Sequence, residues 1–212
     1  MSYLVLDIET APLDDAADYL EPVSAPSNYK DEAKIAEYCA KAQAEQLAKA
    51  ALDVDLCRVV AIAWHDGHQI QVSLGETVGD DSRSEWVCLY DFWCAVQVGG
   101  LPLVGFNILQ FDLPVLYRRS MYLGIEAPEL ERGKYRHGNV IDLADLLSEQ
   151  GRLRLRSLDF YCRRFGIDIP PVGEGKDVPG WVAAGQWDQV EEHVRADVAR
   201  TAALAKRIGV LP

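Results

Sequence analysis

A five-residue stretch near the start, Leu6-Asp7-Ile8-Glu9-Thr10, limits what this chain can become more than any other. Tyr3-Leu4-Val5-Leu6 leads into it as a short apolar run of strand-forming residues, and Pro12 is expected to stop the strand. In a strand, Asp7 and Glu9 are two apart and share a face. Two carboxylates side by side at the end of a buried strand repel each other and lose hydration, so a cation is expected between them. No Lys or Arg occurs in the first 29 residues, which makes a divalent metal ion the natural candidate. Carboxylate oxygens are the ligands that Mg²⁺ and Mn²⁺ favour. Taken alone, Asp-x-Glu is common and more often marks a solvated strand end or a helix cap.

At 212 residues the chain is long enough for a single domain, 1–212, with a core of its own. No apolar stretch approaches the roughly 20 residues of a membrane span. No basic-then-apolar leader opens the chain, so a cytoplasmic protein with no membrane partner is expected. Cys39, Cys57, Cys88, Cys94 and Cys162 are odd in number and include no Cys-x-x-Cys pair, which favours reduced thiols over a disulfide framework or a zinc site. The net charge of −12 argues against bulk, non-specific binding of nucleic acid. It leaves room for an enzyme whose acids coordinate cations and whose bases gather on one side.

Along the chain, residues 14–55 read as a helical insertion. Pro22 and Pro26 mark a loop, and the Ala-, Glu-, Gln- and Lys-rich run from Lys30 to Ala51 predicts one long, mostly exposed helix. Leu56–Trp64 and Gln69–Leu74 predict two strands joined by the turn His65-Asp66-Gly67-His68. The two histidines there are turn decoration. Ser84–Val98 has its aromatics at helical spacing, and Leu101–Asn107 reads as a buried strand. Pro114 suits the first turn of the next helix, which puts Asp112 at the helix entrance just beyond Asn107. Val140–Leu143 predicts a short strand running into a helix, Ser157 starts another, and the Pro- and Gly-rich residues 167–180 read as largely loop. A last helix spans about 186–208 and carries His193 and Asp197 four apart, on one face. The outline is a mixed sheet flanked by helices, an α/β architecture with one antiparallel strand.

Three of these features, in order, resemble the motifs of the DEDD, or DnaQ-like, 3′–5′ exonucleases. They are Asp7-Ile8-Glu9-Thr10, Asn107-(x3)-Phe111-Asp112 and His193-(x3)-Asp197. The resemblance is to the branch related to the exonuclease domain of family B DNA polymerases, and it covers nearly the whole chain. It implies an RNase H-like sheet of five strands with the second antiparallel. It further implies hydrolysis of phosphodiester bonds from the 3′ end of single-stranded DNA, with RNA as the alternative substrate, assisted by two divalent cations, Mg²⁺ or Mn²⁺. By resemblance, Asp7, Glu9, Asp112 and Asp197 hold the metals and His193 orients or deprotonates the attacking water. Thr10, Asn107 and Phe111 contact the substrate. A polymerase or a replication and repair partner, proofreading or DNA repair as the setting, and a non-catalytic nucleic-acid-binding relative are further readings. One position departs from the pattern: the tyrosine branch has Tyr four before the last Asp and the histidine branch has His five before it, whereas here His stands at the tyrosine spacing.

From Arg132 to Arg164 eight basic residues face four acidic ones, a local excess of four positive charges in an acidic chain. That segregation suits a track for a strand backbone. Phe106, Phe111 and Tyr135 are candidates for stacking on bases.

Overall fold

The computed structural model describes residues 3–76, 84–131 and 138–212. β1 (Leu4–Pro12) is the middle strand of a five-stranded sheet. β2 (Cys57–His65) and then β3 (Ile70–Leu74) lie on one side of it, β4 (Leu103–Gly105) and then β5 (Val140–Asp142) on the other. β2 pairs antiparallel with both of its neighbours, while β1 with β4 and β4 with β5 are parallel. The second strand therefore runs against the other four, as expected. The helices among the described residues are α1 (Glu32–Ala50), α2 (Glu85–Gly99), α3 (Asp112–Leu123), α4 (Leu143–Leu147), α5 (Leu158–Phe165), α6 (Val178–Ala183) and α7 (Trp187–Arg207). None is long and apolar enough to cross a membrane.

The pleat of β1 sorts its side chains between two helical layers. Leu4, Leu6 and Ile8 pack with Phe92 and Trp93 of α2 and Leu113 and Leu116 of α3. Val5 joins Val190, Val194 and Val198 of α7, and Val178 of α6, on the opposite face. Asp7 and Glu9 share the parity of Val5, so they are directed at α7. The α7 core positions 190, 194 and 198 recur every four residues, which sets His193 and Asp197 on a neighbouring stripe of the same helix.

A crevice opens where β4 stops. β1 pairs with β4 only through Leu4 and Val5, so from Leu6 onward its β4 side is free for other groups. A register shift between Glu9 and Thr10 in the pairing with β2 twists the strand at the same level. This is the carboxyl end of the parallel strands, and the chain departs to opposite sides of β1 there, the usual place for a site in an open α/β sheet.

Gly105 closes β4 because nothing larger fits. An added Cβ would stand 2.2 Å from Ile108 Cγ2 and 3.1 Å from the Leu6 carbonyl oxygen. Gly105→Ala is expected to lower stability by about 1–3 kcal/mol, the usual cost of overpacking a tight core. Denaturant unfolding checks this: an unchanged midpoint would show that Ile108 can move aside.

One expectation needs correction. Asp7 and Glu9 lie in mid-strand rather than at its end, because β1 continues through Ala11 and Pro12, which pair with Arg58 and Cys57. Residues 167–180 are largely loop, as expected, and end in a short helical start. A capping box between Glu174 and Asp177 starts a 3₁₀ turn at Gly175–Asp177 that leads into α6. Pro179 sits in the first turn of α6, where its missing N–H costs nothing.

Other expectations are met closely. α1 is exposed along most of its length, and its Asp31 cap accepts from the Ala33 and Lys34 backbone N–H groups. His65 and His68 flank the expected tight turn, where Asp66 accepts from the backbone of His68 and Gln69. All five cysteines are free thiols. Arg132, Lys134, Tyr135 and Arg136 lie outside the described residues.

Candidate active site

Glu9, His193 and Asp197 offer one ligand atom each, all within 4.8 Å of one another. The His193 Nε2 is 3.1 Å from the Glu9 Oε1 and 4.0 Å from the Asp197 Oδ2. The other ring nitrogen, Nδ1, is 2.6 Å from the Val172 carbonyl oxygen. A carbonyl only accepts, so Nδ1 carries the hydrogen and Nε2 is the atom turned to the acids. Trp181 of α6 meets the imidazole edge to face, with ring centroids 5.6 Å apart. His193 is thereby only 3% exposed.

Asp197 is held from its other side. Arg200, one turn on and 3% exposed, donates to the Asp197 Oδ1 at 3.0 Å and to the Asp159 Oδ1 of α5 at 3.1 Å. A buried guanidinium shared by two carboxylates fixes where α5 and α7 meet and leaves the Asp197 Oδ2 facing His193.

Asp7 and Asp112 line an open cavity of about 510 Å³ together with Phe106, Asn107, Phe111 and Arg156. Asp112 begins α3 and is 5% exposed. Its placement depends on Asp142 at the end of β5. One Asp142 oxygen accepts from the Asn107 N–H at 2.8 Å and the Ala144 N–H at 2.9 Å; the other accepts from the Leu109 N–H at 2.9 Å. The Asn107 backbone is left-handed, with φ of +66°, a region that asparagine tolerates better than most residues. The chain thus turns sharply after β4 and delivers Asp112 to the open side of β1.

The acids raise one another's pKa. Burial, then the charges of Asp112, Glu9 and Asp197, push Asp7 well above the usual carboxylate range. Burial also raises Glu9, partly offset by the hydrogen bond and charge of His193. Asp112 is pushed up to about 8 by burial and by the charges of Asp142 and Glu9, against hydrogen bonds from backbone N–H groups. Burial pulls His193 down, but the hydrogen bond and charge of Glu9, with the charge of Asp197 and the Val172 carbonyl, outweigh it and raise the group to about 9. Acids buried this close together must either hold protons or meet a cation, and the Asp112 Oδ1 is buried with no hydrogen-bond partner among the described residues.

Among the residues expected at the substrate, Asn107 and Phe111 border the cavity. Phe106 does too, but it also packs into the core beside Tyr161. Thr10 is buried, and its hydroxyl donates to the Ala51 carbonyl at 2.6 Å, tying the end of α1 to β1. In the basic stretch, Arg163 pairs with Asp159 and Arg152 with Glu149. Arg156 lies on the cavity wall over the Phe160 ring, 5.3 Å from its centroid.

This sheet order, with acids gathered at the carboxyl ends of its parallel strands, is the fold of a polymerase exonuclease domain. The family B DNA polymerase of the hyperthermophilic archaeon Pyrobaculum calidifontis superposes with a TM-score of 0.65 over 98% of this chain and 24% of that one. At 18% identity this likeness concerns the fold alone. The model of the family described as predicted 3′–5′ exonucleases related to the exonuclease domain of PolB matches residues 50–211, and the chain belongs to that family. Asp112, His193 and Asp197 fall inside the matched span, while Asp7 and Glu9 precede it. An uncharacterized protein of Methanocaldococcus jannaschii is 29% identical over 182 residues, covering 76% of this chain and 94% of the relative. DNA polymerase 2 of Aeropyrum pernix is 26% identical over 122 residues, which cover 50% of this chain and 15% of the polymerase.

Proposed function

We propose that this chain is a 3′–5′ exonuclease that hydrolyses single-stranded DNA or frayed 3′ ends and releases nucleoside monophosphates. One observation carries the reading: five titratable side chains from β1, the start of α3 and one face of α7 converge on an open crevice. The donor set suits hard divalent ions. It is rich in carboxylate oxygens, Asp7, Glu9 and Asp112 are held at raised pKa, and a buried Asp112 oxygen lacks a partner among the described residues. Asp7, Glu9, Asp112 and Asp197 would hold two ions, Mg²⁺ or Mn²⁺, which supply Lewis acidity toward a phosphoryl oxygen and lower the pKa of water.

The protein's own contribution is position and shape. Asn107, Phe106 and Phe111 wall the space beside Asp7 and would seat the terminal nucleotide; the Thr10 backbone would contact its 3′ end. His193 orients Glu9, and Arg200 orients Asp197. Among the described residues Arg156 is the cation on the cavity wall, and it would take a backbone phosphate. Relation to polymerase exonuclease domains supports an accessory role beside a polymerase, in proofreading or repair, with the exposed α1 as the contact.

The test is direct. Strands of DNA and of RNA labelled at the 5′ end are incubated with Mg²⁺, Mn²⁺ or EDTA. A ladder shortening from the 3′ end of DNA, and stopped by EDTA, is expected. Faster loss of RNA would reassign the substrate, and intact strands that still shift on a gel would make the protein a binder. For Arg156→Ala we expect KM for a DNA strand to rise about tenfold with kcat little changed. The slope of log KM against log salt should fall by roughly 0.7, the share of one phosphate contact on a single strand. An unchanged salt slope would remove Arg156 from the strand path.

A further inference from the structure

We infer that Glu9, His193 and Asp197 form a mixed nitrogen–oxygen site that takes a first-row transition divalent ion, such as Mn²⁺, in preference to Mg²⁺. This rests on the functional reading above and concerns the same site. It makes His193 a ligand in its own right, added to the acids.

Three observations support it. First, the ring is oriented as a ligand. A backbone carbonyl holds Nδ1–H at 2.6 Å, the arrangement that orients most metal-binding histidines and turns Nε2 toward the acids. Second, Nε2 faces a carboxylate oxygen 3.1 Å away, with a second carboxylate at 4.0 Å. His193 and Glu9 share a proton there without metal, and a divalent ion would displace it. One donor atom from each of Glu9, His193 and Asp197 lies within 4.8 Å of the others, close enough to share one ion. Third, the ring has little freedom to do anything else. Trp181 packs against it edge to face, and Gly173 leaves room for that indole: a Cβ on Gly173 would stand 2.5 Å from the Trp181 ring. Beside this group, the Asp112 Oδ1 is a further buried donor with no hydrogen-bond partner among the described residues.

The donor types set the preference. Mg²⁺ favours oxygen and sheds water reluctantly, whereas imidazole nitrogen strengthens binding of first-row transition ions. A site with one imidazole in three protein donors should therefore discriminate where an all-carboxylate site would not.

The experiment uses Mn²⁺ as the probe and electron spin-echo spectroscopy of the whole protein as the readout. Nitrogen modulation from a bound imidazole is expected in the wild type. It should persist in the triple variant His65→Gln/His68→Gln/His137→Gln, which leaves His193 alone of the four histidines. It should vanish in His193→Gln, with Mn²⁺ affinity falling at least about tenfold and Mg²⁺ affinity falling far less. No modulation in the wild type, loss in the triple variant, survival in His193→Gln, or equal losses for the two ions would each overturn the inference. The two readings fail separately. Strand shortening without nitrogen modulation removes the ligand role and keeps the nuclease. Nitrogen modulation without strand shortening removes the nuclease and keeps the ligand.

Discussion

Asp7→Asn is expected to reduce strand shortening by at least about 10³-fold while making the metal-free protein more stable. The two effects have one cause. Asp7 stands on β1 where the charges of Asp112, Glu9 and Asp197 all reach it, and burial and those charges together raise its pKa. Without metal, the fold must either protonate this carboxyl or bury it charged beside other acids, and both cost free energy. Asparagine keeps the shape and removes the charge. Thermal melts in EDTA should shift upward, by roughly 3 °C for each 1 kcal/mol released in a domain of this size. Adding Mn²⁺ should then stabilise the variant less than the wild type. A lowered melting temperature in EDTA would mean that the Asp7 carboxylate makes structural bonds that asparagine cannot replace. Retained activity would remove Asp7 from the chemistry.

The acidic frame of the site was legible in the sequence because each part of it is local. The i, i+2 spacing of Asp7 and Glu9 puts them on one strand face, and the i, i+4 spacing of His193 and Asp197 puts them on one helix face. Pro114 marked the first turn of α3 and so located Asp112. What held these groups in place was not legible. Asp142 is a lone acid in a short strand, and its role exists only because β5 ends beside the Asn107 turn. Arg200 could be read as one more helix base, until α5 brings Asp159 against it. The Val172 carbonyl and Trp181 come from a stretch whose prolines and glycines masked a short helix. The capping box at Glu174 and Asp177, and Pro179 in the first turn, were its local signals. His193 itself was legible by spacing, but which atom faced the acids depended on a backbone carbonyl 21 residues away.

Without metal, the protein should lose stability steadily as pH rises from about 5 to 9, and divalent ions should restore it most at the alkaline end. The direction follows from which state holds more protons. Asp112 moves from an ordinary 3.8 to about 8 on folding, so between those values the folded protein binds a proton that the unfolded chain has lost. Stability is then full below about pH 4 for this group and falls as pH climbs toward 8. His193 rises from 6.5 to about 9, so its contribution is present below 6.5 and is lost as pH rises through 9. Asp7 and Glu9, also raised, act with the same sign. Asp55 and Asp66 are lowered and act the other way, but both are near the surface, where solvent screens them. Even two pKa units of net shift, about 2.7 kcal/mol, would lower the melting temperature by at least about 5 °C. Metal ions compete with protons for the same oxygens, so saturating Mn²⁺ should raise the melting temperature far more at pH 8 than at pH 5. Calorimetry at both values, with EDTA and with Mn²⁺, makes the comparison. A melting temperature that is flat or rising with pH in EDTA would contradict a cluster of proton-holding acids. A metal effect equal at the two pH values would place the ions somewhere other than on these carboxylates.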